Sequence, residues 1–297
     1  MTTTGTFAET TAHNAAHYDT ITESWRELFG DHFHCRYYAS EGGAAGWIEA
    51  AFEYVDRVAS LAALRRGDRV LDVGCGIGGP ALRLARRHGC VVTGISTSAE
   101  NVSTARASAA GDATFDVGDG SDLPFASSSF DAVWMIETAD LIPDKPRLFG
   151  ELARVLRPGG RVVFANNVSL RRLTFGETVS RQGDIAAMGR VFGRLTNASP
   201  EAYGTWLAEA GFGEVAQHDL TTAIAPTLLE VGARVRACER GIEARLGAGF
   251  TTDLERAMHL WASLLETRAV AYVAFTAVKR IESAERRLAR AVAGGQR

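Results

Sequence analysis

A short β-branched run, Arg69-Val70-Leu71-Asp72-Val73, leads straight into Gly74-Cys75-Gly76-Ile77-Gly78-Gly79 and then Pro80. A buried strand, a dense glycine turn and a proline that opens a helix form one strand–loop–helix unit, and no other stretch constrains the fold as much. Such glycines let the backbone turn tightly and let a ligand approach where a Cβ would collide. Gly74, Gly76 and Gly79 satisfy G-x-G-x-x-G, so on the loop alone a dinucleotide stays open.

The same alternation continues downstream, the pattern of a doubly wound α/β sheet. Helix is expected from Pro80 to His88, strand at Val91-Val92-Thr93-Gly94-Ile95, helix from Ala99 to Ala109, and strands at Thr114 to Val117 and Phe130 to Ile136. A helical spacing from Asp144 to Leu156 stops at Arg157-Pro158-Gly159-Gly160, with a fifth strand expected at Arg161 to Ala165. Ser199-Pro200-Glu201 starts a helix, Gly213 to Leu220 reads as a strand, and Ala269 to Val278 is the last β-rich run. About fifty residues of helical character separate those two strands. A parallel crossover needs only one helix, so the excess is expected to form an inserted cap over one end of the sheet.

The 297 residues carry 32 basic and 35 acidic side chains, with 46% hydrophobic and 23% charged residues. That is ordinary globular composition, and a net charge of −3 offers no global positive field to nucleic acid or an anionic membrane. No apolar run approaches the roughly 18 residues of a membrane span. Met1 to Asn14 lacks the basic-then-apolar order of a secretory signal. A cytoplasmic protein without nucleic-acid or membrane partners is expected. Cys35, Cys75, Cys90 and Cys238 form no C-x-x-C pair and no zinc spacing, so neither a metal site nor a disulfide framework is expected. Lysine occurs only at Lys145 and Lys279.

Two positions separate the cofactors that a glycine loop could hold. Asp72, immediately upstream of the glycines, would oppose a pyrophosphate and would suit a cofactor bearing an ammonium group; otherwise it is a loop-capping aspartate. A nicotinamide ribose calls for an acid at the end of the second strand, where this chain has Gly94-Ile95-Ser96-Thr97-Ser98. At the end of the third strand, Gly118-Asp119-Gly120 offers a carboxylate that could accept from an adenine amino group, or a turn aspartate.

Val70-Leu71-Asp72-Val73-Gly74-Cys75-Gly76, Gly118-Asp119, Leu123-Pro124-Phe125, Phe130-Asp131 and Leu156-Arg157-Pro158-Gly159-Gly160, in that order, resemble the class I S-adenosylmethionine-dependent methyltransferase family. The resemblance runs from about Arg69 to Val168 and more faintly to Val278. It implies a seven-stranded sheet with the last strand antiparallel, methionine contacts at Asp72, Gly74 and Gly76, and an adenine contact at Asp119 with Gly120 beside it. Gly94-Ile95-Ser96-Thr97-Ser98 followed by Asn101 is similar to one branch, the tocopherol, sugar O-, glycine-betaine-type N- and geranyl diphosphate C-methyltransferases. There hydroxyl and amide side chains hold the ribose, which makes Ser96 and Asn101 the candidates. His17-Tyr18-Asp19, Trp25 and Gly30 to Tyr38 resemble the N-terminal lid of that branch, with Tyr18 at the cofactor.

Five segments are expected: a helical lid at 1–60 and the cofactor-binding core at 61–168, both as the resemblance implies, then, from the residue pattern, a core continuation with an insert at 169–221, a cap over the acceptor pocket at 222–268, and a final strand with a helical tail at 269–297. The segment Ile136-Glu137-Thr138-Ala139-Asp140-Leu141 follows the fourth strand, at the edge where such sheets bind ligands. Related O-methyltransferases often carry a histidine base here; this chain has Asp140 and Leu141 instead, which counts against base-catalysed O-methylation by that route and slightly promotes carbon and nitrogen acceptors. Glu137 matches the position whose carboxylate serves prenyl diphosphate C-methyltransferases by stabilising a carbocation, and it could equally orient the lid or the cofactor. Asp140 is a candidate base or a solvated loop residue. His32, His34 and His218 are further base candidates or structural residues.

The expected function is methyl transfer from S-adenosylmethionine to a small-molecule natural product at carbon, nitrogen or oxygen, in secondary metabolism such as antibiotic biosynthesis. Alternatives are a cyclase on the same fold, a non-catalytic cofactor-binding protein and an NAD-dependent reductase. A homo-oligomer is compatible, since an N-terminal segment could close over its own chain or a neighbour's.

Overall fold

The computed structural model describes residues 6–39 and 46–281. The chain opens with helix α1, Phe7–Phe29, started by a reciprocal capping box between Thr6 and Glu9, and α2, Trp47–Leu61. Strand β1, Arg69–Val73, then feeds the glycine loop and α3, Gly79–His88. Gly89, in the left-handed conformation at φ 69°, ends α3. Next come β2, Val91–Ser96; α4, Ala99–Ala109, capped by Ser98; β3, Ala113–Val117; and β4, Phe130–Ile136. A 3₁₀ turn at Ala139–Leu141 leads to α5, Lys145–Val155, and β5, Leu156–Ser169. The remainder is α6, Phe175–Ser180; α7, Gln182–Phe192; α8, Pro200–Glu209; β6, Phe212–Asp219; α9, Thr221–Ile224; α10, Pro226–Leu246; α11, Phe250–Glu266; and β7, Val270–Lys279.

The sheet order is β3-β2-β1-β4-β5-β7-β6, with β1 to β5 parallel and β7 antiparallel to both β5 and β6. The expected seven-stranded doubly wound sheet with an antiparallel last strand is therefore present, and strand order reverses between β1 and β4. Ligands bind beyond the carboxyl ends of strands at such a switch point. Alternation along β4 divides the interior: Ala132, Trp134 and Ile136 face one buried layer, Val133 and Met135 the other.

One expected boundary needs correction. The spacing predicts a fifth strand at Arg161 to Ala165, whereas β5 begins at Leu156 and runs through the proline and glycines to Ser169. Its register on β4 shifts between Phe130 and Ala132, and Gly159 at φ 75° sits in that irregularity. A bulge thus absorbs residues that read as a break. The helical tail expected after Val278 lies, from residue 282, outside the described residues. Among the described residues no helix is long and apolar enough to cross a membrane.

Between β6 and β7 the chain inserts α9, α10 and α11, and α10 and α11 pack against each other and against α1 and α7. Trp25 of α1 is the joint: its ring meets Phe29, Phe192 and Phe250 at centroid separations of 5.7 to 6.1 Å. Edge-on aromatic contacts of this kind favour one relative setting of three helices.

Candidate functional site

One cavity of about 350 Å³ lies over the β1/β4 switch point. It is lined by Asp72, Gly74, Gly76, Ser96, Asn101, Asp119, Gly120, Tyr18, Glu137 and Asp140, so the cofactor candidates and the two acidic catalytic candidates meet there; of the histidine candidates, His34 lines it and His32 and His218 do not. The carboxyl ends of β1, β2 and β4 supply the floor.

Asp72 is buried at 2% exposure, and its Oδ2 has no hydrogen-bond partner. Burial alone pushes its carboxyl up to about 8. An unpaired buried carboxylate calls for a cation. Gly74 and Gly76 both have positive φ, 78° and 52°. A Cβ on Gly74 would strike the Thr138 side chain, whereas one on Gly76 would meet only Phe33, at 3.8 Å. The backbone at Gly76 is thus open to the cavity.

Ser96 is buried and its Oγ accepts the Ser98 N–H at 3.2 Å. The Thr22 hydroxyl lies 2.5 Å from Asn101 Oδ1 and ties that amide to α1. Asp19 of α1 accepts from the Ser98 hydroxyl at 2.6 Å, a second tie between the N-terminal helix and α4. Asp119 uses Oδ1 to accept both the N–H and the hydroxyl of Ser121 at 2.8 Å. Its turn-forming role is real, and it lines the cavity as well. Gly120 packs so closely on β1 that a Cβ would come within 2.8 Å of Val73.

The two acidic residues after β4 differ in their partners. Glu137 Oε1 accepts from the Cys35 N–H at 2.9 Å and the Tyr272 hydroxyl at 2.6 Å, and Tyr272 in turn lies 2.6 Å from the Tyr54 hydroxyl. Asp140 Oδ1 has no partner although the side chain is buried. Burial lifts the Asp140 carboxyl out of the usual range toward neutrality, Lys145 pulling it down and Glu137 adding to the rise.

The histidines are otherwise engaged. His34 faces the Cys35 carbonyl through Nδ1 at 2.6 Å and His32 through Nε2 at 3.1 Å, so both ring nitrogens are used. Burial and the Arg36 guanidinium hold both imidazoles neutral, His32 down to about 4. His218 lies on β6, away from the cavity-lining residues, beside Thr276.

Three helices contribute an apolar face to the wall, alongside polar lining residues such as Asn14, Asn167 and Asn197. Met188 and Phe192 of α7, Leu228 and Val231 of α10, and Met258 and Trp261 of α11 face the cavity. Among the large aromatics of the C-terminal half, Trp261 lines the cavity, Phe250 packs on Trp25, and Trp206 lies in the opposite layer against Tyr203.

Sequence reasoning missed Lys145, Thr196, Tyr272 and Asn14. Asn14 Nδ2 donates to the Leu141 carbonyl at 3.0 Å, and its Oδ1 accepts the Arg194 N–H at 2.8 Å, so α1 grips the turn that carries Asp140. Only Lys145 left a local signal, a cation at the first position of a helix, where the backbone dipole disfavours it.

A family model described as a methyltransferase domain matches residues 71–164. The 27-O-demethylrifamycin SV methyltransferase of Amycolatopsis mediterranei is 30% identical over 268 residues, spanning 88% of this chain and 95% of that protein. Methyltransferase GfsG of Streptomyces halstedii is 36% identical over 157 residues, 51% of this chain and 56% of the relative. Among solved structures, the (4+2)-cyclase SpnF matches with a TM-score of 0.75 and 27% identity, over 90% of this chain and 95% of that one.

Proposed function

The chain belongs to the S-adenosylmethionine-dependent methyltransferase family, and on that premise we propose that it methylates a hydroxyl group of an apolar small-molecule natural product. The observation that carries this reading is a single cavity lined by an unpartnered Asp72 carboxylate, an unpartnered Asp140 carboxylate oxygen and an apolar wall from three helices.

The site fits the cofactor. The orphaned buried oxygen of Asp72 suits the ammonium of the methionine moiety, and the open backbone at Gly76 leaves room beside it. Ser96 and Asn101 are within the same lining to hold ribose hydroxyls, Asp119 to accept from the adenine amino group, and Tyr18 to cover the cofactor from α1. A π face next to a cation is attractive. When bound, S-adenosylmethionine supplies an electrophilic methyl group on a sulfonium. Asp140 accepts the proton that the acceptor hydroxyl loses; its raised affinity for protons suits a general base working near neutral pH. Glu137, with Oε1 engaged by Cys35 and Tyr272, latches the segment before α2 and β7 onto the end of β4. The apolar side chains of α7, α10 and α11 orient the acceptor and exclude water, and positioning supplies much of the acceleration of a two-reactant transfer.

The test is incubation of the purified protein with S-adenosylmethionine and apolar hydroxyl compounds, beginning with 27-O-demethylrifamycin SV, followed by mass spectrometry. Gain of one methyl group on a hydroxyl supports the reading; transfer only to amines or alkenes removes the base role from Asp140. The likeness to SpnF favours one second reading, a cyclase that keeps the cofactor without using it, and an acceptor rearranged with no loss of S-adenosylmethionine would establish it.

A further inference from the structure

Lys145 is buried at 2% exposure at the first position of α5. A cation there faces the positive end of the helix dipole and has lost its water. If packing were its only task, an apolar side chain of similar length would serve with less cost. Its amine donates to the Ile142 carbonyl at 2.5 Å and to Thr196 Oγ1 at 2.7 Å, and it forms no direct ion pair among the described residues. Thr196 passes the contact on: its hydroxyl and its N–H both donate to the Asp140 carbonyl, at 2.7 and 2.6 Å. The lysine is therefore wired, through one threonine, to the backbone of the residue whose carboxylate oxygen has no partner.

We propose that Lys145 is a positioning residue for the reaction: through Thr196 it fixes the turn that carries Asp140, and it supplies that turn with a buried cation. The titratable groups that face Asp140 are Lys145 from α5, Glu137 from the end of β4, Tyr18 from α1, Tyr203 from α8 and the thiol of Cys35 ahead of α2, which burial holds neutral. Lys145 is the cation of that set. Glu137 opposes ionisation of Asp140, and each tyrosine is itself held neutral by burial. Lys145 in turn is pushed down by burial and held up by Asp140, so each member of the pair preserves the other's charge. The inference rests on Asp140 being the proton acceptor of the proposed transfer.

The experiment is a carboxyl titration by nuclear magnetic resonance of the full chain labelled with ¹³C-carboxyl aspartate, with S-adenosylhomocysteine present and the Asp140 signal assigned from Asp140→Asn. In Lys145→Met the Asp140 midpoint should rise by about one unit or more, a tenfold tighter hold on the proton, while affinity for S-adenosylhomocysteine stays the same. Lys145→Arg should restore most of the shift. Thr196→Val keeps the amine but removes its acceptor, and should move the midpoint in the same direction by less. An unmoved midpoint in Lys145→Met overturns the proposal; if that variant fails to fold, an unmoved midpoint in Thr196→Val overturns it equally. Full methyl transfer by Asp140→Asn would sink the base role alone, because the titration reads the lysine's effect without any turnover.

Discussion

Tyr272 donates its phenolic hydrogen to Oε1 of Glu137 at 2.6 Å, across 135 residues of sequence. The same oxygen takes the Cys35 N–H, and Glu137 itself sits at φ 49°, a conformation that a non-glycine residue keeps only where its surroundings over-determine it. The strand β7, the segment ahead of α2 and the end of β4 are closed on one carboxylate. Because β7 is the antiparallel strand that returns from α11, this contact couples the helical wall of the cavity to its floor.

Tyr272→Phe removes that donor and leaves the buried Tyr54 hydroxyl without its partner. The loss should be roughly 1–3 kcal/mol of stability, measured by urea unfolding. Glu137→Gln retains an oxygen that can accept from both Cys35 and Tyr272, so it should keep the fold and the cofactor affinity and cost much less turnover than Asp140→Asn. Complete loss of turnover in a well-folded Glu137→Gln protein would mean that the charge of Glu137 takes part in the chemistry.

Asp140→Asn should lower kcat by about 10²–10⁴-fold, the usual contribution of a positioned base. In the wild type the Asp140 carboxyl is raised toward neutrality by burial, and only its ionised form accepts a proton. The rate should therefore climb with pH through that raised value and level off above it. A pH–rate profile that is flat from acid to neutral would remove Asp140 from the mechanism.

Gly74→Ala puts a methyl group on a backbone at φ 78°, directly against the side chain of Thr138, whose hydroxyl is already tied to the Ile136 carbonyl at 2.9 Å. Neither the loop nor the turn can yield without disturbing the other. Affinity for S-adenosylhomocysteine should fall at least about tenfold, with loss of stability on top. Gly150→Ala makes the opposite change: it lies within α5 with open space around it and should gain roughly 0.5–1 kcal/mol. Equal effects of the two substitutions on binding would refute the loop argument.

Local patterns carried the fold further than they carried the site. Phe130–Ile136 and Ala99–Ala109 match the expected strand and helix end to end, because a β-branched run bounded by turns and a serine cap before a helix are both local signals. The long β5 was hidden by Pro158 and Gly159, which stop a helix but fit a bulge once β4 lies alongside. In the site, Asp72, the glycines, Ser96 and Asp119 were legible as strand-end motifs. The difference between Glu137 and Asp140 was not, since it depends on Cys35, Tyr272, Thr196 and Asn14, all brought in by tertiary packing from more than fifty residues away.

The last prediction separates stability from function at one residue. The Asp72 carboxyl is raised from 3.8 to about 8 by burial alone. A carboxyl with a raised folded value binds its proton more tightly in the folded state, so the resulting stabilisation is fully present below pH 3.8 and is lost as pH rises through about 8. At alkaline pH the ligand-free protein thus carries a buried unpaired charge. Asp72→Asn removes it and should raise Tm at pH 8.5 by an amount worth on the order of a few kcal/mol, with little change at pH 4. The same variant should lose affinity for S-adenosylhomocysteine, because the carboxamide gives its ammonium no charge to meet. In the wild type, binding an ammonium at Asp72 favours the ionised carboxylate, so calorimetric titration at about pH 7 in buffers of different ionisation enthalpy should register proton release that Asp72→Asn abolishes. A variant no more stable at alkaline pH than the wild type, or one that binds as tightly, would show that Asp72 finds its counter-charge elsewhere.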